Sequence, residues 1–139
     1  MSLLHYYPIV IKEIYLDTFG HMNNATYLLL FEEARWDLIN QRGYGMKKIK
    51  ELKLGPTILE AHVRYLKELR LREEIIIETT MVDYERKIGT IEQRMVRGQD
   101  ICCIAQFKIA LFDLNVRRLV PPTQEWLNAI GYQPTSENK

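Results

Sequence analysis

The sequence predicts an α+β fold in which an antiparallel sheet wraps around one long helix. One helical pattern occupies residues 25–42, a single β-type segment precedes it, and four more β-type segments follow in succession. Runs of strands around one helix are typical of α+β domains with an antiparallel sheet. The chain has 139 residues, which fits one domain with a substantial core, and we find no linker or internal repeat. Residues 1–139 are therefore predicted to form a single domain.

The first predicted strand covers residues 5–14, a segment rich in aromatic and β-branched residues. Pro8 cannot donate a hydrogen bond to a neighbouring strand, so this segment belongs at an edge of the sheet or at the start of a strand. A loop follows at residues 15–24, and Gly20 within it permits a backbone turn that other residues resist. Asn24 is the predicted N-cap, because it stands immediately before the long apolar run.

The helix predicted over residues 25–42 is apolar around most of its circumference, which indicates burial on most sides. Glu32 and Arg35 lie within the apolar arc, three residues apart, and are predicted to form a semi-buried pair. Gly43 and Gly45 end the helix, because glycine readily adopts the backbone conformation that follows a helix C-terminus.

The second half of the chain is predicted to be mostly β-structure. It follows a lysine-rich connector at residues 43–56, which has room for a short helical turn. The four predicted strands share alternating apolar positions or β-branched runs, and they cover residues 57–67, 74–83, 87–97 and 101–113. The last two form a hairpin about Gly98. Residues 115–122 are predicted to be irregular, and residues 124–130 are predicted to form a short helix that packs through Trp126.

Composition excludes several classes of function. The net charge of +1 argues against a protein that binds nucleic acid through bulk charge. No apolar run approaches the roughly 18 residues of a membrane span, and the N-terminus lacks the basic region of a signal peptide, so we expect a cytoplasmic protein. Cys102 and Cys103 are adjacent in a predicted strand, where neighbours point to opposite faces, which suits neither a disulfide nor a metal site. Three scattered histidines do not make a zinc site.

The densest group of polar side chains lies between Asp17 and Asn24, at the mouth of the long helix. This segment contains a carboxylate, a glycine, a histidine and two amides. Free N–H groups at a helix N-terminus point outward and favour negative charge, which suits a developing oxyanion. A plain capped loop has the same composition, because Asp and Asn side chains also satisfy the N–H groups of loops. The residue types alone leave both interpretations open.

Residues 15–35 resemble the hot-dog-fold thioesterases, in particular the 4-hydroxybenzoyl-CoA thioesterase-like group. The family pattern is Asp, two residues, Gly-His-Val-Asn-Asn, two residues and Tyr, followed by Phe-Glu-x-Ala-Arg. The chain matches this pattern at the family's spacing with Asp17, Gly20-His21-Met22-Asn23-Asn24, Tyr27 and Phe31-Glu32-Glu33-Ala34-Arg35. Many members have a second Asp where this chain has Tyr15, and Gly-Asp where it has Arg72-Glu73. These differences leave open the subfamily, and therefore the acyl chain of the substrate.

The resemblance implies a hot-dog fold, that is, a five-stranded antiparallel sheet curled around one long central helix. It also implies a homodimer or homotetramer with active sites at the dimer interface. The implied activity is that of an acyl-CoA thioesterase, which hydrolyses an acyl-CoA to the free acid and CoA. No cofactor is expected, since coenzyme A enters only as part of the substrate. A hot-dog enoyl-CoA hydratase or dehydratase and a non-catalytic acyl-CoA-binding module are the alternatives, and thiol release from a saturated acyl-CoA would separate them.

Within this motif, Asp17 is the predicted catalytic group, either as the nucleophile that attacks the thioester carbonyl or as the base that activates water. The backbone N–H of Asn24 is the oxyanion donor that the resemblance implies. His21 is either a further base or a structural residue that ties down the loop, and Asn23 is expected to orient Asp17 or the water. Substrate contacts, including basic groups for the CoA phosphates, are expected at Gly20, Tyr27, Glu32, Arg64, Lys67 and Lys87.

Overall fold

The computed structural model describes residues 2–133, so residue 1 and residues 134–139 of the predicted domain lie outside the described residues. The strands within the described part are β1 (Leu4–Val10), β2 (Leu54–Tyr65), β3 (Glu74–Glu85), β4 (Ile88–Arg97), β5 (Asp100–Asp113) and β6 (Arg118–Val120). The α-helices of this part are α1 (Asn24–Gln41), α2 (Met46–Leu52) and α3 (Gln124–Ala129). None of these helices is both long enough and apolar enough to cross a membrane.

The strands form one antiparallel sheet in the order β1-β3-β4-β5-β2, with β6 paired to the end of β5. This confirms the predicted α+β class, in which an antiparallel sheet packs against one long helix. The short β6 lies in a segment that was predicted to be irregular. It forms because the Asp113 carboxylate accepts hydrogen bonds from the N–H groups of Asn115 at 2.8 Å and Val116 at 3.0 Å, which folds the chain back onto β5.

Several strands and helices begin or end at residues other than those predicted, because backbone groups form hydrogen bonds there. β1 ends at Val10 rather than at residue 14, because the Ile11 N–H turns to the Glu73 carbonyl at 2.9 Å. The lysine-rich connector contains α2, and β2 begins at Leu54, ahead of its predicted start at residue 57. Lys53 makes the transition between them in the left-handed conformation, at φ 58°. The connector is therefore more ordered than its composition indicated.

α1 packs against the sheet mainly through one face. Its buried side chains recur with the helical period, at Tyr27, Leu30, Phe31, Ala34, Leu38 and Ile39. The prediction that the helix is buried on most sides is wrong, because Leu28 and Leu29 are 41% and 62% exposed. One sheet covers only one side of a helix, so apolar side chains in the first two turns of α1 remain at the surface of the single chain.

The sheet has two ends that matter for the site, and we call them the loop end and the hairpin end. The loop end carries Val10 and Glu74, which are paired in the sheet, and the Tyr65 terminus of β2. The hairpin end carries the β3–β4 turn after Glu85 and the Leu54 terminus of β2. The 12 residues of β3 connect the two ends over about 36 Å, at roughly 3.3 Å per residue.

Candidate active site

Asp17 is half-buried and closes the loop that precedes α1. Its Oδ1 accepts hydrogen bonds from the backbone N–H of Phe19 at 2.8 Å and of His21 at 3.3 Å. Its own N–H donates to the His21 carbonyl at 2.8 Å. Gly20 completes the turn at φ 83°, in the left-handed region that favours glycine. Oδ1 therefore holds the loop together, whereas Oδ2 accepts no hydrogen bond within the described part of the chain.

The N-terminus of α1 presents a backbone donor beside this loop. Asn23 is the N-cap, not Asn24 as predicted. The Asn23 Oδ1 accepts from the Ala25 N–H at 2.9 Å, and its carbonyl accepts from the Thr26 N–H at 3.0 Å. The cap moves by one residue because the Asn23 N–H is bound to the Tyr15 carbonyl at 2.8 Å, which keeps Asn23 extended at ψ 140°. The Asn24 N–H is the first helical donor, at the positive end of α1.

His21 is exposed on the loop and is held by a residue far away in sequence. Its Nε2 lies 2.6 Å from Oε2 of Glu68, in the connector between β2 and β3. The Arg70 Nε donates to the other Glu68 oxygen at 2.7 Å, and this hydrogen bond lowers the pKa of the Glu68 carboxyl. Sequence reasoning missed Glu68, since no motif or spacing links it to His21 and only the folded connector brings the two together.

Two tyrosines join the start of α1 to the end of β2. Tyr27 is 4% exposed, and burial raises its pKa to about 12. Its ring meets that of Tyr65 edge to face, with centroids 4.9 Å apart. The Tyr65 hydroxyl donates to the Asn24 carbonyl at 3.3 Å, which ties the helix N-terminus to an edge strand of the sheet. Tyr27 is thus a core residue next to the loop, and Tyr65 is a further contact that the sequence did not indicate.

The predicted pairing of Glu32 with Arg35 is wrong. Arg35 instead donates from Nη1 to Gln93 Oε1 at 2.9 Å, and its guanidinium lies 4.3 Å from the centroid of the Phe107 ring. Burial lowers the pKa of Arg35 to about 10, and the charge of Glu32 opposes part of that shift. The buried Gln93 amide also donates to the Phe31 carbonyl at 3.0 Å. Arg35 therefore turns inward and links the helix to the sheet, whereas Glu32 is exposed.

A cavity of about 160 Å³ lies between α1 and the sheet. Glu32 and Arg35 supply its charged wall, and the remaining lining residues are Trp36, Leu38, Ile39, Pro56, Ile58, Ile91, Ile109, Trp126 and Ile130. An apolar cavity of about 150 Å³ is large enough for one aromatic ring. Glu32 is eight residues beyond Asn24, or about 12 Å along the helix at 1.5 Å per residue, so the cavity is set back from the Asp17 loop.

The predicted basic contacts are not gathered at the loop. Lys67 lies at the loop end, but its amine is paired with Asp100 at 2.9 Å. Arg64 is exposed on β2, at the edge of the sheet. Lys87 lies at the hairpin end, in the β3–β4 turn, where it shares an open hollow with Lys108. Within one chain, about 36 Å of β3 separates Lys87 from the loop end.

Neither metal ligands nor a reactive thiol accompany this loop in the described residues. No three His, Cys, Asp or Glu side chains of residues 2–133 cluster as metal ligands would. Cys102 and Cys103 are free and buried, and burial raises the pKa of Cys103 to about 12. Burial likewise raises the pKa of Cys102, so neither thiol is ionised near neutral pH. The reacting groups available at the loop are the Asp17 carboxylate and the His21 imidazole.

Several solved structures share the fold of this chain. A hypothetical protein from Staphylococcus aureus in complex with CoA is 19% identical, and the match covers 97% of this chain and 89% of that one with a TM-score of 0.86. The probable thioesterase YbaW from Escherichia coli is 19% identical, covering 91% and 96% of the two chains with a TM-score of 0.81. A 1,4-dihydroxy-2-naphthoyl-CoA thioesterase from Synechocystis is 14% identical, covering 91% and 95% with a TM-score of 0.82. At these identities the likeness shows the fold alone, which is the predicted hot-dog fold.

The family model of the thioesterase-like superfamily matches residues 14–130. This range contains the Asp17 loop, α1 and every later strand, so the match includes both the polar motif and most of the fold. It confirms the predicted enzyme class, a thioester hydrolase, and the thioesterases among the structural neighbours agree with it. The chain belongs to the thioesterase-like superfamily.

Proposed function

We propose that the chain is an acyl-CoA thioesterase that hydrolyses an acyl-CoA to the free acid and CoA, with Asp17 as the reacting carboxylate. The observation that carries this proposal is the backbone pairing of residues 15–17 with residues 21–23. This pairing ties the Asp17 loop to the N-cap Asn23, and in this proposal the Asp17 carboxylate faces the Asn24 N–H, a hydrogen-bond donor without an intrahelical partner. A thioester carbonyl bound between these two groups would have the Asp17 carboxylate next to its carbon and the Asn24 N–H as hydrogen-bond donor to its oxygen, where negative charge develops.

Two reaction paths use these groups. In the first, the Asp17 carboxylate attacks the carbonyl carbon and the C–S bond breaks, releasing the thiolate. Water then hydrolyses the resulting anhydride to the free acid and the Asp17 carboxylate, and the proton released goes to the thiolate. In the second, the carboxylate takes a proton from water, the hydroxide attacks, the C–S bond breaks, and the thiolate is protonated. In both, negative charge grows on the carbonyl oxygen next to the Asn24 N–H. One such donor typically contributes ~2.7–4 kcal/mol to lowering the barrier.

The neighbouring motif residues support these two groups. Asn23 caps α1 and so sets the position of the Asn24 N–H. Gly20 allows the left-handed turn that closes the loop. His21 contributes both backbone groups to that loop and an imidazole that is paired with Glu68. We therefore assign the Gly-His-Met-Asn-Asn segment to shaping the site, with the His21 side chain as the member able to transfer a proton.

We infer that two copies of the chain pair through β2, which is an open edge of the sheet. Ile58 and Leu59 in the middle of this strand are 43% and 42% exposed, an apolar edge of the kind that pairs with another strand. Pairing of β2 with its own copy about a two-fold axis is antiparallel, so the Tyr65 terminus of one strand faces the Leu54 terminus of the other. The loop end of each subunit then meets the hairpin end of its partner. Two such dimers would form the homotetramer that the motif implies.

The acyl group that we propose is compact or aromatic. The cavity of about 160 Å³ next to β2 does not carry this proposal, because it lies about 12 Å along α1 from Asn24, beyond the reach of a ring whose carbonyl lies at Asp17. Three of the similar structures are named for aromatic substrates, two for 1,4-dihydroxy-2-naphthoyl-CoA (DHNA-CoA) and one for gentisyl-CoA, and a fourth is named for oleoyl thioesters. The three aromatic names agree with the narrower 4-hydroxybenzoyl-CoA thioesterase-like assignment. In the dimer, Lys87 of the partner subunit is among the basic groups available to the CoA phosphates.

Thiol release from a panel of short, long and aromatic acyl-CoAs tests the activity. On the best substrate, we expect Asp17→Asn to lower kcat/KM by ~10²–10⁴-fold, which is the rate enhancement that one positioned acid–base side chain typically provides. Glu51→Gln changes an exposed carboxylate on α2 and serves as the matched control, with wild-type activity expected. If Asp17→Asn stays within a few-fold of wild type, the assignment of Asp17 fails. Release from a saturated acyl-CoA excludes a hydratase, and binding without release would instead indicate a binding module.

Mixing two impaired variants tests whether the site is shared between subunits. Asp17→Asn removes the reacting carboxylate, and Lys87→Glu reverses a charge at the hairpin end. In a mixed dimer one site carries both changes and the other carries neither, so refolding the variants together in equal amounts is expected to restore about a quarter of the wild-type sites. Activity no greater than the sum of the two separate variants would contradict the shared site, as would a protein that sediments as a monomer.

A further inference from the structure

A carboxylate–imidazole pair adjoins the reacting loop and includes a residue outside the family motif. The His21 Nε2 lies 2.6 Å from the Glu68 Oε2, within the range of a charge-assisted hydrogen bond. The backbone N–H and carbonyl of His21 both bond to Asp17. His21 therefore contacts the proposed reacting residue through its backbone and Glu68 through its side chain.

The connector that carries Glu68 is fixed against the loop by contacts other than the pair itself. The Met22 N–H donates to the Leu69 carbonyl at 3.1 Å, and the Leu69 side chain is fully buried. The Arg97 Nη1, from the end of β4, donates to the Glu68 carbonyl at 3.0 Å. Core packing and strand contacts thus determine where the Glu68 carboxylate lies relative to His21, which distinguishes this pair from one made by two mobile surface side chains.

We propose that Glu68 is a positioning residue that fixes the tautomer of His21, so that His21 protonates the departing thiolate. This role rests on the proposed thioesterase function. Because Glu68 accepts at Nε2, the neutral imidazole keeps its proton there and leaves Nδ1 as the basic nitrogen. The protonated ring then donates from Nδ1.

In the second path, each proton has a source and a destination. Water gives one proton to Asp17 as its oxygen attacks the carbonyl carbon. The C–S bond breaks, and the thiolate sulfur takes a proton from His21 Nδ1. The Asp17 carboxyl then returns its proton to His21, so both side chains end in their starting states and the products are the acid and the thiol.

The charged groups nearest His21 come from three parts of the chain. The facing groups are Asp17 in its own loop, Glu68 and Arg70 in the β2–β3 connector, and Arg97 at the end of β4. Arg70 lowers the pKa of the Glu68 carboxyl, so that group stays ionised across neutral pH. Replacing this carboxylate by a neutral amide removes a group that can only accept at His21 Nε2, because an amide can either accept or donate there.

The test combines NMR of the histidine rings with the rate of thiol release, using Glu68→Gln. The chain has three histidines, so His5 and His62 are internal references, and His21→Gln identifies the His21 signals. We expect long-range ¹⁵N–¹H spectra of the full chain to show the Nε2–H tautomer at His21. An amide can either accept or donate at Nε2, so we expect Glu68→Gln to show both tautomers of His21 and to lower kcat by at least about twofold. Glu13→Gln removes the carboxylate paired with Arg72 and is the matched control, with neither the tautomer nor kcat changed.

Three results would overturn the proposal: an Nδ1–H tautomer at His21, a tautomer that Glu68→Gln leaves unchanged, or a change of tautomer without a loss of kcat. The last would mean that Glu68 only ties down the loop. Wild-type protein that releases thiol from no acyl-CoA would refute the proposed function instead, and the NMR spectra would still decide the tautomer. The two failures are therefore distinguishable.

Discussion

Separate substitution of Asn23 and Asn24 distinguishes a side-chain role from a backbone role at the N-terminus of α1. Asn23→Ala removes the Oδ1 that accepts from the Ala25 N–H at 2.9 Å. Loss of an N-cap of this kind costs about 1 kcal/mol, and we expect the midpoint of thermal unfolding to fall by roughly 3–5 °C. The same change loosens the turn that holds the Asn24 N–H. Loss of a whole oxyanion donor lowers kcat by ~10²–10³-fold, so we expect Asn23→Ala, which only displaces the donor, to lower kcat by at least ~10-fold.

Asn24→Ala is expected to behave in the opposite way. The Asn24 side chain is exposed, and alanine keeps the backbone N–H that serves as the donor. Alanine also favours helix, so the first turn stays intact and kcat is expected to remain within about threefold of wild type. The assays are thiol release at saturating substrate and thermal unfolding of the same samples. Asn23→Ser, which restores a capping oxygen, should recover most of the lost kcat. The reasoning is refuted if Asn24→Ala loses as much kcat as Asn23→Ala.

Three further predictions concern stability and pH. Gln93→Met keeps the side-chain volume but removes the buried amide that accepts from Arg35 and donates to the Phe31 carbonyl. Denaturant titration should show that the free energy of unfolding falls by about 2–4 kcal/mol, and a fall below 1 kcal/mol would contradict this reasoning. Gly20→Ala and Gly98→Ala each place a side chain at a positive φ, 83° and 62°, where the added Cβ meets no other atom. Both substitutions should lower the free energy of unfolding by about 1–2 kcal/mol, and only Gly20→Ala should lower kcat/KM. Burial raises the pKa of Tyr27 from 10.0 to about 12. The stabilisation linked to this shift is therefore complete below pH 10 and lost as the pH rises through 12. Between pH 8 and pH 11.5, Tyr27→Phe should remove about 2 kcal/mol of this alkaline loss of stability, measured by denaturant titration at both pH values.

The sequence predicts those features of the fold and of the candidate site that depend on neighbouring residues. The helix from Asn24, the long strands and the Asp17 loop all follow from local spacing, and the structure contains each of them. Glu68 and Tyr65 enter the site through tertiary contacts, 47 and 41 residues from their partners His21 and Asn24, so no local pattern could indicate them. The N-cap moved from Asn24 to Asn23 for a similar reason, since a hydrogen bond across the loop outweighed the local capping preference.

In the proposed dimer, the separation of the two ends of the sheet means that each site draws on both subunits. The carboxylate and the helix N-terminus lie at the loop end, the cavity begins about 12 Å farther along α1, and Lys87 lies about 36 Å away at the hairpin end. A single copy therefore offers the reacting groups without basic contacts from its hairpin end. Pairing through β2 reverses the second copy, so its hairpin end lies against the loop end of the first. The same antiparallel pairing that covers Ile58 and Leu59 would thus bring together the carboxylate and the cations, which makes dimer formation and activity inseparable in this proposal.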